Sequence, residues 1–360
     1  MTVPAPRPQV AALPAYVPGA RGAGGPQPIK LSSNESPYGP LPSVVAAIAA
    51  GAEAPHRYPD MAASALHARL ALACGAEPHA VVAGAGSVAV LAHILQAYAG
   101  AGDEVVFAWR SFEAYPILTA IAGAEAVKVP LDADARHDLE AMAEAITDRT
   151  KVVLVCSPNN PTGPAVHAEE FVAFMARVPS HVLVVLDEAY GEYSRDPRAV
   201  RGSELLAEHP NLIVLRTFSK AYGLAGLRVG YAVGSAELLA PVRAVVTPFS
   251  ITEVAQSAAI ASLDAVDELL ERVEVTAGER ERVLARVREL GWAAPDSDGN
   301  FVWLPAGART ADVATALGAL PTPILVRPFA GEGIRITVGT PEENDALLSA
   351  LSRIGASGQE

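Results

Sequence analysis

The stretch Thr217-Phe218-Ser219-Lys220-Ala221-Tyr222-Gly223-Leu224-Ala225-Gly226-Leu227-Arg228 follows an apolar run, Asn211–Leu215, and sets one lysine among hydroxyls, small residues and an arginine. A lysine amine condenses with an aldehyde, while hydroxyls and a guanidinium hold a phosphate dianion. Of the 27 basic residues only Lys30, Lys128, Lys151 and Lys220 are lysines, so arginine serves nearly everywhere that positive charge alone suffices. That pattern singles out Lys220 for amine chemistry, against the plainer reading of an exposed lysine in a Gly-rich loop.

Working outward, Asn211–Leu215 belongs to a series of short apolar runs alternating with helical patterns: Ala80–Ala83, Glu104–Ala108, Ala126–Val129, Lys151–Cys156, His181–Leu186 and Arg228–Val233. Such alternation predicts an α/β fold, a large domain with a mostly parallel sheet flanked by helices. Ligands of open sheets sit beyond the carboxyl ends of the strands, and the clusters at Ser87, Asn160, Asp187 and Lys220 each follow one. Beyond Glu253 the pattern changes to a long helical stretch, Val254–Leu290, then strands near Phe301–Leu304 and Gly333–Val338. The expected division is an N-terminal arm contributing to a small domain over 1–40, a large cofactor domain over 41–250, and a smaller α+β domain over 251–360.

The 360 residues are 51% hydrophobic and 19% charged, enough for a well-buried core. A net charge of −13 and a pI near 5.1 argue against nucleic acid as a partner while leaving room for a local basic pocket. Cys74 and Cys156 lack paired spacing, so no cysteine-based metal site is expected; both are read as buried and inert, in a reducing cytoplasm. Met1–Pro28 reads as an extended Pro/Ala/Gly arm rather than a signal peptide, and no segment has the apolar length of a membrane span. Alanine-rich Val44–Ala50 and Ala62–Ala73 are expected to be scaffold helices, the second with a stripe of Leu66, Leu70 and Ala73.

Three further motifs carry chemistry. Ser157-Pro-Asn-Asn160-Pro-Thr-Gly163 closes a strand with a turn whose Asn160 amide can donate to a phenolate oxygen, though Asn-Pro turns are also common punctuation. His181-Val-Leu-Val-Val-Leu-Asp187-Glu-Ala-Tyr190 is an apolar strand ending in a carboxylate, costly to bury unless it meets a positive partner such as a pyridinium nitrogen. Tyr190 lies within reach of the same ring's phenolate. A rival reading, Asp-Glu holding Mg²⁺ in a nucleotide hydrolase, lacks its Gly-x-x-x-x-Gly-Lys cradle. Val81-Val-Ala-Gly84-Ala85-Gly86-Ser87-Val-Ala89 imitates a dinucleotide fingerprint, but Asp103 and Glu104 open the second strand where a carboxylate should end it. What survives is a phosphate cup at a helix N-terminus. Pyridoxal 5′-phosphate carries both the aldehyde and the phosphate that the Lys220 stretch suits, and its ring offers the phenolate and pyridine nitrogen that Asn160, Tyr190 and Asp187 could meet.

In order, the phosphate cup, Asn-Pro-Thr-Gly, Asp-x-x-Tyr, Ser-Lys and Arg228 resemble the fold-type I pyridoxal-phosphate aminotransferases over nearly the whole chain. Within them the chain is similar to the histidinol-phosphate branch and its aromatic relatives through Leu31-Ser-Ser-Asn-Glu-Ser-Pro-Tyr-Gly-Pro40, Arg57-Tyr-Pro-Asp60 and Gly333-Ile-Arg-Ile-Thr-Val-Gly339, departing at Ser36, where many members carry asparagine. The resemblance implies that Lys220 bonds the cofactor aldehyde, that Asp187 faces the pyridine nitrogen, and that Asn160 and Tyr190 face the phenolate. It gives the phosphate to Ala85, Gly86, Ser87, Thr217, Ser219 and Arg228, and it stacks Phe112 on the ring. Tyr58 would reach the phosphate of a second copy, implying a homodimer, and Arg335 would grip the substrate carboxylate, a role that a planar two-pronged donor on a strand also suits chemically.

The implied activity is ping-pong transfer of an amino group to 2-oxoglutarate. Gly86-Ser87-Val88 and Phe107-Ala-Trp-Arg-Ser-Phe112-Glu-Ala-Tyr115 look like the aromatic or phenylalanine aminotransferases, which favours Phe, Tyr and Trp as donors. Tyr16 and Arg327 resemble positions that bind the substrate phosphate of histidinol-phosphate enzymes, which makes that activity the alternative. Threonine-phosphate decarboxylases share the lysine motif, and a non-catalytic ligand sensor would share the fold; the aromatic features disfavour the first, and the full set of catalytic groups disfavours the second.

Overall fold

A computed structural model describes residues 3–13 and 27–355. Its centre is a seven-stranded sheet of β1 (Val81–Gly84), β2 (Glu104–Trp109), β3 (Glu125–Pro130), β4 (Thr150–Cys156), β5 (Leu183–Asp187), β6 (Leu212–Thr217) and β7 (Gly230–Gly234). Spatially the order is β1-β7-β6-β5-β4-β2-β3, with β7 antiparallel to both its neighbours and the other pairings parallel. The alternation read from sequence is therefore the sheet observed, with strand ends shifted by two residues or fewer.

Apart from the edge strand β3, which is mostly exposed, these strands are apolar on both faces because both faces are covered. Side chains alternate between two cores, as a period of two requires: Val105, Phe107, Val152 and Leu154 enter one, while Val106, Ala108, Val153 and Val155 enter the other. Helices Ser87–Tyr98 and Ala114–Ala122 close the first core, and Ala168–Arg177 closes the second.

Beyond the sheet, the continuous helical stretch expected over Val254–Leu290 is two helices, Glu253–Asp264 and Val266–Glu289, separated at Ala265. The first packs on Pro42–Gly51 and Ser64–Cys74, in the same core as Phe218 and Tyr231. The second bridges two cores: Leu269 and Val273 lie in that core, whereas Val283, Leu284 and Val287 lie in a separate one. This separate core underlies a small antiparallel sheet of β8 (Phe301–Leu304), β9 (Arg327–Phe329) and β10 (Gly333–Thr337), ordered β9-β10-β8. Ile29–Lys30 pairs in parallel with Ile324–Leu325, tying the early chain to this layer.

Two minor expectations need correction. Ala73 is exposed, and the buried face of Ser64–Cys74 is Leu66, Leu70 and Ala71, turned toward the helices and strands of the same core. Cys74 is half-buried rather than buried, while Cys156 is enclosed and its thiol is pushed up to about 12 by burial.

Candidate active site

The carboxyl ends of β4, β5 and β6 open into a cavity of about 260 Å³, whose opposite wall is the small sheet. Ser87, Phe112, Asn160, Asp187, Tyr190, Thr217, Ser219, Lys220 and Arg228 border it from the large sheet, and Arg327 and Arg335 border it from the small one.

Lys220 sits there because the chain leaves β6 at Thr217 and returns antiparallel at Gly230, its register partner, so residues 218–229 arch over the sheet's end. Its Nζ donates to the Ser33 carbonyl at 3.1 Å. Burial, followed by the positive field of Arg335, lowers its pKa to about 7. At neutral pH a substantial fraction of this amine is unprotonated, which condensation with an aldehyde requires.

Asp187 ends β5 and is 5% exposed. Tyr115 donates its hydroxyl to Oδ2 at 2.8 Å, and the Ala189 amide donates to Oδ1 at 3.2 Å. Burial raises this carboxyl to about 6, with the Tyr115 hydrogen bond opposing the shift. Such a carboxylate is placed to gain from a cationic ring nitrogen.

The two asparagines after β4 divide the work. Asn159 secures the loop: its Oδ1 accepts from Ser111 at 2.7 Å, and its Nδ2 donates to Thr162 Oγ1 at 2.7 Å and to the Arg110 carbonyl at 3.1 Å. Asn160 faces the cavity, its Oδ1 accepting from Arg335 Nη1 at 2.6 Å, which leaves its NH₂ as the donor end. Arg335 Nη2 also donates to the Ser32 carbonyl at 2.8 Å. Tyr190 packs edge-on against Phe301, accepts from Asn34 Nδ2 at 3.0 Å, and has its pKa raised by burial.

Close approach of backbone to guanidinium builds the phosphate cup. A Cβ on Gly86 would lie 2.3 Å from Arg228 Nη2, and one on Gly230 would lie 2.2 Å from the Ser87 amide nitrogen. Glycine at both places lets Arg228 and the first amides of Ser87–Tyr98 converge, and no side chain caps that helix. Arg228 itself adopts φ 57°, a left-handed conformation unusual for a residue with a Cβ, and donates to Ser219 Oγ at 3.2 Å. Uncapped amides, a guanidinium and hydroxyls form a donor set suited to a phosphate, with an amine and a buried carboxylate on the same cavity. The residues therefore fit pyridoxal phosphate.

Not every expected residue comes to the cavity. Ala85 and Gly86 form the turn into the helix without bordering it. Tyr58 is 82% exposed and packs on Phe249, with 4.6 Å between ring centroids. Tyr16 lies outside the described residues. Conversely, Tyr115, Asn34, Ser33, Glu113 and Phe329 belong to the site without any role legible from sequence alone. Tyr115, Asn34 and Glu113 stand within quoted motifs, but their partners are distant in sequence, and no spacing encodes such pairs.

The family model for aminotransferase class I and II matches residues 26–351, and the chain belongs to this family of pyridoxal-phosphate-dependent transaminases. It is 51% identical over 353 residues to an aromatic amino acid aminotransferase of Streptomyces avermitilis, covering 98% of each chain. With an aromatic amino acid aminotransferase of Thermobifida fusca it shares 54% identity over 338 residues, 94% of this chain and 93% of that one. Among solved structures, the histidinol-phosphate aminotransferase of Sinorhizobium meliloti in complex with pyridoxal-5′-phosphate superposes with a TM-score of 0.86 at 31% identity, covering 96% of each chain.

Proposed function

We propose that this enzyme transfers the amino group of aromatic amino acids, Phe, Tyr and Trp, to 2-oxoglutarate, working as a cytoplasmic homodimer. The observation that carries transamination is the convergence of Lys220, Asp187 and Arg335 on one cavity. The aromatic preference is supported by relatives of that name at about half identity and by an apolar lining of Val88, Phe112 and Phe329, the last backed edge-on by Trp303 at 5.4 Å. Exposed Tyr58, Met61 and Phe249 form an apolar patch suited to a second copy. No helix among the described residues is long and apolar enough to cross a membrane.

When bound, the cofactor supplies an electron sink for the bonds at the substrate Cα and a carrier for nitrogen between the two half-reactions. The chain's own groups do the rest. Arg335 holds the substrate α-carboxylate by a two-pronged charged contact. Lys220 Nζ, with its lowered pKa, takes and returns the Cα proton. Asp187 would hold a proton on the pyridine nitrogen, and Asn160 and Tyr190 would orient the ring through its phenolic oxygen. The Ser87 amide, Thr217, Ser219 and Arg228 would anchor the phosphate.

Histidinol phosphate is the second reading, favoured by Arg327 on the cavity wall and by the fold similarity to a histidinol-phosphate enzyme. Steady-state assays with 2-oxoglutarate and each donor test the choice. Phenylalanine, tyrosine and tryptophan are expected to give the higher kcat/KM, and a preference for histidinol phosphate overturns the aromatic reading.

A further inference from the structure

We propose that Glu113 sets substrate choice by occupying the Arg327 guanidinium, so that the outer cavity offers a neutral pair to an uncharged ring and turns away side chains ending in a phosphate dianion. This inference rests on the aromatic reading above and assigns it to a residue.

Arg327 and Arg335 are directly opposed on β9 and β10 and border the same cavity. Like charges at opposed positions repel, and two planar guanidinium forks side by side attract a dianion. Their partners among the described residues differ. Arg335 donates to the uncharged oxygens of Asn160 and Ser32, at 2.6 and 2.8 Å. Arg327 Nη2 donates to the carboxylate of Glu113 at 2.7 Å, with 11% of the arginine side chain and 30% of the glutamate side chain exposed. That carboxylate cancels the second positive charge where a substrate side chain would end.

The conformation of Glu113 supports a dedicated role. It immediately precedes Ala114–Ala122 with helical backbone angles, φ −60° and ψ −18°. Here it makes no cap hydrogen bond and instead crosses to a strand 214 residues away. The pair is flanked by phenyl rings: Phe112 precedes Glu113, and the Phe329 ring centre lies 5.6 Å from the Arg327 guanidinium carbon. Lys30 and Glu35 repeat the compensation near the same cavity at 2.6 Å. An uncharged aromatic ring entering here meets apolar surface and a neutral pair. A phosphate dianion meets the Glu113 carboxylate and must displace it, whereas a distal carboxylate carries one charge and meets about half that repulsion. Selectivity thus arises from a repulsive group as well as from the fit of the ring.

The test measures kcat/KM for phenylalanine and for histidinol phosphate in the cofactor-loaded wild type, in Glu113→Gln and in Glu113→Asp. Glu113→Gln is expected to raise the histidinol-phosphate to phenylalanine ratio at least about tenfold, chiefly through KM, while Glu113→Asp, which keeps the charge, stays near the wild-type ratio. A wild type that prefers phenylalanine together with an unmoved ratio in Glu113→Gln overturns the role of Glu113 and leaves the aromatic function standing. A wild type that prefers histidinol phosphate overturns both. Should Glu113→Gln lose turnover, histidinol phosphate binding measured by calorimetry decides: tighter binding than in wild type supports the gate, and equal or weaker binding ends it.

Discussion

Asp187 and Lys220 follow neighbouring strands of one large sheet, whereas Arg327 and Arg335 stand on a three-stranded sheet with its own core. The cofactor wall is thus set by a backbone covered by helices on both faces, and burial perturbs both Asp187 and Lys220 there. Across the cavity, the substrate wall depends on side-chain contacts reaching over the gap, Arg335 to Asn160, Arg327 to Glu113 and Arg110 to Glu332. Covalent chemistry is concentrated where the structure is least adjustable, and selection among substrates where it is most adjustable.

Substitutions should separate the two walls. Lys220→Ala is expected to have the largest effect, lowering kcat by about 10³-fold or more, since it removes both the attachment point and the proton-transfer group. Borohydride reduction followed by mass spectrometry should find cofactor bonded to the wild type and none bonded to the variant; retained turnover would place the chemistry elsewhere.

Asp187 gives a smaller, pH-dependent signature. Its folded pKa of about 6 lies above the ordinary 3.8, so its contribution to stability is intact below about pH 4 and is lost as pH rises through 6. In cofactor-free protein, Asp187→Asn should therefore gain stability relative to wild type between pH 4 and 7, by an amount on the order of 3 kcal/mol. Chemical denaturation at the two pH values reads this, and a difference that does not change with pH would contradict the burial of an ionised group. Lys220 has the opposite sign, its contribution being lost as pH falls through 7, so it must be present in both proteins compared.

On the substrate wall, Arg335→Lys keeps the charge but loses the fork that spans Asn160 and Ser32. A rise of about tenfold in KM for every amino donor is expected, with the cofactor still bound by absorbance. Loss of cofactor instead would show that the walls do not act separately.

The same contrast explains what the sequence could disclose. Most of strands β1 to β7 were legible as short apolar runs punctuated by helical patterns, and Asn160, Asp187 and Lys220 were legible because they stand at or shortly after the carboxyl ends of such runs. Tyr115 was not, since its importance lies in a hydroxyl meeting Asp187 across 72 residues. Asn34 reaches Tyr190 across 156 residues, and Glu113 reaches Arg327 across 214. Motif order locates backbone positions; partners brought together by packing of separate layers have no signature in local spacing. Ala85 shows the converse, a motif residue whose place in the pattern comes from the turn it makes and not from contact with the cavity.

The helix Val266–Glu289 has one end embedded with the large sheet and the other with the small. From Gly278 to Glu289 it extends about 17 Å, so a tilt of about 5° around its middle swings the far end by about 1.5 Å. That distance spans a formed and a broken hydrogen bond. A single rigid rod can therefore act as a lever arm, converting a slight rocking of the outer layer into engagement or release of the arginines that face Lys220.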